Sequence, residues 1–83
     1  MKFQYRTQGT CSEMIEFEIV EGKLHNVQFY GGCHGNLQGI GKLVEGMEAK
    51  EVIAKLGGIR CGYKDTSCPD QLSKAVSGAL KKM

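Results

Sequence analysis

The residues of this 83-residue chain best suited to chemistry are its four cysteines, Cys11, Cys33, Cys61 and Cys68. Thiolates bind zinc, hold iron–sulfur clusters and attack electrophiles or disulfides. Cys68 lies in Thr66-Ser67-Cys68-Pro69-Asp70, directly before a run with helical apolar spacing. Proline is tolerated in the first turn of a helix, where its missing N–H has no intrahelical partner to lose, and Ser67 or Cys68 is placed to cap. Cys68 is therefore expected at the positive end of a helix dipole, which favours the thiolate. Asp70 suits the same first turn electrostatically, and stands as an additional ligand or as support for one. Neither a zinc-ribbon nor a thioredoxin-like motif is present, because there is no CxxC pair and six residues separate Cys61 from Cys68. Any shared site must come from the fold.

The elements that would assemble it are legible. Phe3 and Tyr5 alternate with Lys2, Gln4 and Arg6, giving a short first strand that ends near Gly9. From Met14 to Val20, Ile15, Phe17 and Ile19 share one face and Glu16 and Glu18 the other. A turn at Glu21-Gly22-Lys23 leads to a return strand from Leu24 to Tyr30, with Val27 and Phe29 on its apolar face. A two-residue turn would set Ile15 opposite Gln28 and Phe17 opposite Asn26, pairing core with solvent. A three-residue loop centred on Gly22 instead sets Phe17 opposite Val27, Ile15 opposite Phe29 and Ile19 opposite His25, and is the expected register. The same symmetry, carried past the open end, brings Cys11 opposite Cys33.

Three helices follow. Leu37, Ile40, Leu43 and Val44 repeat at helical spacing after the bend Gly31-Gly32-Cys33-His34-Gly35-Asn36, although Gly39 and Gly41 each cost about 1 kcal/mol relative to Ala. A second helix runs from about Glu48 to Leu56 and stops at Gly57-Gly58, which suits a left-handed cap. The last, from Pro69 to about Lys81, presents Leu72, Ala75, Val76, Ala79 and Leu80 as one stripe. Strands followed by helices predict a single α+β domain over residues 1–83, a three-stranded antiparallel sheet with three helices on one face.

Size and composition favour a metal or redox role for the thiols. A chain this short has a thin core, and four cysteines can staple it through disulfides or a metal. The N-terminal residues carry no apolar signal region and no stretch is long enough to cross a bilayer, so a cytoplasmic location without a membrane partner is expected. Thiols stay reduced there, and a cysteine set points to metal binding or catalysis. A net charge of +2, with no basic stripe interleaved with aromatics, predicts no nucleic-acid partner. The glycine-rich bend matches no dinucleotide or P-loop spacing. If both helix starts point to one end of the sheet, Cys11, Cys33, Cys61 and Cys68 form a metal site for zinc or an iron–sulfur cluster. His34, beside Cys33, and Glu13, two residues after Cys11, are further candidates as ligands or supporting groups. His25, near the hairpin tip, reads as structural. The alternative is a thiol redox protein, with Cys68 the nucleophile and Cys61 the resolving thiol.

The segments Gly31-Gly32-Cys33-His34-Gly35-Asn36-Leu37 and Asp65-Thr66-Ser67-Cys68-Pro69-Asp70 resemble the TSCPD family, named for residues 66 to 70, and the resemblance runs over essentially the whole chain. It is nearest to small stand-alone proteins with four cysteines. The family also includes a domain toward the C-terminus of cobalamin-dependent ribonucleotide reductases, which implies a partner in ribonucleotide reduction, although 83 residues cannot hold the reductase barrel and no independent activity is implied. More distantly, the chain is similar to iron–sulfur scaffold proteins of the NifU N-terminal type, which implies a NifU-scaffold-like fold and partners in iron–sulfur assembly. In that comparison Cys11, Cys33 and Cys68 match the three ligand cysteines and Glu13 matches an aspartate. Ser67 stands where the scaffold has a histidine, Cys61 is additional, and the proline-containing chaperone segment is replaced by Leu56-Gly57-Gly58-Ile59-Arg60.

Overall fold

Period-two alternation produces the three strands, and their register places every second residue of the middle strand over the helices. A computed structural model describes residues 1–10, 12–32 and 34–82, the side chain of His34 excepted. Strands β1 (Lys2–Arg6), β2 (Ser12–Val20) and β3 (Lys23–Gly31) form an antiparallel sheet in the order β1-β2-β3. Helices α1 (His34–Val44), α2 (Ala49–Leu56) and α3 (Cys68–Lys82) follow, which is the expected α+β arrangement. Ile15, Phe17 and Ile19 of β2 are buried with Leu24 against Val44, Ala49, Val52, Leu72, Val76 and Ala79. Phe3 of β1 stacks on Phe17 with ring centroids 5.5 Å apart. On the opposite face Glu16 accepts hydrogen bonds from Gln4 at 2.8 Å and Tyr30 at 3.1 Å, so that side of the sheet is polar.

The hairpin corrects the expected three-residue loop. Val20 pairs with Lys23 and Ile19 with Leu24, leaving a two-residue turn in which Glu21 and Gly22 both have positive φ, 52° and 78°. Such a turn matches the twist of the flanking strands. The face mismatch that argued against it is removed by a β-bulge. Asn26 and Val27 together oppose Phe17, and Asn26 takes the left-handed conformation at φ 55°. Beyond the bulge Ile15 pairs with Phe29 as expected, whereas Ile19 does not face His25. A second shift falls at Glu13, so Ser12 pairs with Gly31, one residue short of the symmetry used to align Cys11 with Cys33. Cys11 and Cys33 themselves lie outside the described residues.

The helices close on the sheet through backbone as well as side chains. Leu24 donates to the carbonyl of Met47 at 2.8 Å and accepts from Gly46 at 2.7 Å, so the α1–α2 connection covers the outer edge of β3 near the turn. Gly41 in mid-helix has a packing reason. A Cβ there would stand 2.9 Å from the carbonyl oxygen of Val27, too close for any side chain. At the end of α2 the left-handed residue is Gly58, φ 87°, while Gly57 is extended and donates to Ile53 at 3.0 Å.

Candidate thiol site at the head of the last helix

Ser67 is the N-cap of α3. Its Oγ accepts from the Asp70 N–H at 3.1 Å, its carbonyl accepts the first helical bond from Gln71 at 2.8 Å, and its hydroxyl donates to Ile59 at 2.7 Å. Cys68 is thereby fixed as the first helical residue and Pro69 as the second. Cys68 is only 7% exposed. Its Sγ lies 3.2 Å from Oγ of the buried Ser12. Ser12 is itself held, since its carbonyl accepts from Thr7 Oγ1 at 2.5 Å and from Thr10 Oγ1 at 3.3 Å.

A collar of buried polar groups, Thr66, Asp70 and Gln71, ties down the first turn of α3 that carries this cysteine. Asp70 accepts from the Gly58 N–H at 2.7 Å and from Thr66 Oγ1, and Lys74 Nζ lies 3.1 Å from the carboxylate. Thr66 in turn accepts from Gln71 Nε2 at 3.0 Å, and Gln71 Oε1 accepts from the Gln8 N–H at 3.1 Å. One relay thus joins the β1–β2 connection, the start of α3 and the α2–α3 connection. Burial of the Asp70 carboxyl works against its ionisation, but the hydrogen bonds from Thr66 and Gly58 together with Lys74 outweigh it and hold its pKa below the ordinary value. The polar atoms are matched, and among the described residues no buried side-chain nitrogen or oxygen lacks a partner.

The sequence-predicted residues separate accordingly. Asp70 heads α3 as expected, with its carboxylate engaged by the loop before the helix. Cys61 is exposed, in a loop where its N–H donates to Thr66 at 3.1 Å and its carbonyl accepts from Lys64 at 3.1 Å. Glu13 is exposed at the second register shift, and its carbonyl accepts from Thr7 at 3.1 Å. His25 pairs with Glu45 at 2.7 Å, a structural contact beside the bulge. His34 opens α1, and its side chain lies outside the described residues, as do Cys11 and Cys33. Among the described residues no three His, Cys, Asp or Glu side chains are grouped as a metal site. The exposure of the two thiols is the reverse of what a Cys68 nucleophile would need, since the attacking sulfur must be reached.

Thr66, Gln71, Ser12 and Gln8 were not singled out by the sequence. The Ser67-to-Asp70 spacing of a helix start marks two members of the collar. Gln71 is a polar residue at a buried position of α3, and such a group must find a partner.

An α+β domain whose last helix begins with a buried cysteine, its first turn held by a satisfied polar collar, is the class that fold and site define. The chain belongs to the TSCPD domain family, whose profile matches residues 2–80. No curated protein and no solved structure matches the chain significantly. Among the described residues no helix is long and apolar enough to cross a membrane.

Proposed function

We propose that this chain is a small cytoplasmic metal-binding module that holds zinc or an iron–sulfur cluster through Cys11, Cys33, Cys61 and Cys68, as an accessory to ribonucleotide reduction or cluster assembly. The observation that carries the reading is the meeting of Ser12 with both Gly31 and Cys68. Ser12 adjoins Cys11, and Gly31 is two residues before Cys33, so three cysteine-bearing segments converge on one end of the sheet. The donor chemistry fits. Cys68 sits at a helix N-terminus, where negative charge is favoured, with its sulfur 3.2 Å from the Ser12 hydroxyl. Bound metal would supply the cross-link that a thin core lacks. Cys61, from the exposed loop tied to Thr66, completes the set of four. His34 and Glu13, each close in sequence to a ligand cysteine, are additional or supporting groups, while Asp70 positions the loop. Ribonucleotide reductase and iron–sulfur assembly proteins are the partners that the family resemblance favours.

Metal analysis and a visible spectrum of anaerobically purified protein test the proposal. A bound metal that is lost in Cys68→Ser is expected, with visible absorption marking a cluster and its absence with bound zinc marking a zinc site. No bound metal, together with no loss of metal affinity on Cys→Ser at all four positions, would overturn it.

A further inference from the structure

The two outer edges of the sheet differ. β1 carries Lys2 and Arg6 along its short length, a common device against unwanted strand pairing. The segment of β3 from Asn26 to Gly31 has no charged residue. Its backbone direction follows from the middle strand. Ile19 exchanges hydrogen bonds with Met1, at 2.9 and 3.1 Å, so the peptide groups of Ile19, and in phase those of Ile15, point toward β1. Ile15 pairs with Phe29, and the N–H and C=O of Phe29 therefore point away from β2, to the outer edge. Nearer the turn this edge is closed by Gly46 and Met47, and at Asn26 by Glu45, which accepts the Asn26 N–H at 2.8 Å. Beyond that point it opens onto a groove of about 790 Å³.

The groove has the form of a slot for an extended chain. One wall is the run from Asn26 to Gly31, and consecutive residues line it because it follows the strand's edge and not one face. The other wall is one side of α1, with Leu37, Gln38, Gly41 and Lys42. The contact of Gly41 with Val27 sets the helix against the strand at one end. Its charges are unequal in availability. Glu45 is committed to Asn26 and His25, whereas no ion pair among the described residues holds the exposed Lys42.

We infer that this slot receives an extended segment of a partner protein, which adds to β3 as a further strand. Its backbone pairs with Phe29, an apolar side chain lies between Phe29 and Leu37, and an acidic side chain meets Lys42. The inference is independent of the metal. A segment docked there would end beside Gly31, the residue paired with Ser12, and so would lie next to the thiol end.

Two short synthetic peptides of alternating valine and threonine, one with a terminal aspartate and one with lysine in its place, are the probes. Fluorescence anisotropy reads affinity, and amide exchange by NMR reads the site. The aspartate peptide is expected to bind about tenfold more tightly than the lysine peptide, to slow exchange at the Phe29 amide, and to lose its advantage in Lys42→Glu, a surface change that leaves the fold intact. Equal affinity of the two peptides, no saturable binding of either, or a preference unchanged in Lys42→Glu would overturn it. So would a Phe29 amide already protected, without peptide, in a protein that sediments as a dimer, because a second copy would then occupy the slot.

Discussion

The two halves of α3 are stabilised by different physics. Its later turns present Leu72, Val76 and Ala79 to Phe17, Ile19 and Val52, and this contact acts through buried area, which has no preferred direction. The first turn works through Thr66, Ser67, Asp70 and Gln71, whose hydrogen bonds must point correctly to count at all. A loss in the apolar half therefore weakens the whole molecule, while a loss in the polar half loosens the first turn of α3 and the loops tied to it. The chain places its candidate chemistry in the half where geometry is specified, and its bulk stability in the half where it is not.

That contrast can be broken from either side. Leu72→Ala removes a side chain with no exposure at the centre of the apolar half, and is expected to cost about 3 kcal/mol in urea denaturation while leaving Cys68 alkylation under native conditions unchanged relative to the folded fraction. A small loss would mean that the core is centred elsewhere. Asp70→Asn should cost about 2 kcal/mol at neutral pH, because Gly58, Thr66 and Lys74 lose a charged acceptor. The pH dependence gives its sign. The folded pKa of Asp70 lies below its unfolded value, so its contribution is fully present above the unfolded value, near 3.8, and disappears as pH falls through the folded one. Urea curves across the acid range should then fall more steeply for the parent protein than for Asp70→Asn, and parallel curves would remove Asp70 from that role. The smallest effect is expected at the exposed loop. Cys61→Ser in metal-free protein should change stability by less than about 0.5 kcal/mol, and a larger cost would show that this thiol is packed in solution.

Much of the fold was legible because it depends on near neighbours. The alternation of Ile15, Phe17 and Ile19 and the stripe from Leu72 to Leu80 fixed element types, and Ser67 with Pro69 fixed the start of α3 to within a residue. The hairpin register was half legible. Matching faces recovered Ile15 with Phe29 but assumed two regular strands, and so assigned to the loop the extra residue that the chain accommodates at Asn26. The collar was largely hidden, since Gln8, Gly58 and Gln71 come from separate parts of the chain and nothing local links them. The thiol end was legible only as a direction. The start of β2 meets the head of α3 through Ser12 and Cys68, and Ser12 pairs with Gly31 and not in the register that would align Cys11 with Cys33, residues that lie outside those described.

The two bulges also determine where the hairpin can change length. Asn26 on β3 and Glu13 on β2 are each supernumerary in the β2–β3 ladder, although Glu13 is engaged on its other side by Thr7. Deleting Asn26 would leave the remaining β2–β3 partners as they are and every apolar side chain facing inward, whereas deleting Glu13 would also remove the carbonyl that accepts from Thr7. A deletion at any other position between Met14 and Glu18 would turn one strand over and expose Ile15 or Phe17. Across a set of homologous sequences, single-residue gaps in this hairpin should therefore collect at Asn26 first and at Glu13 less often.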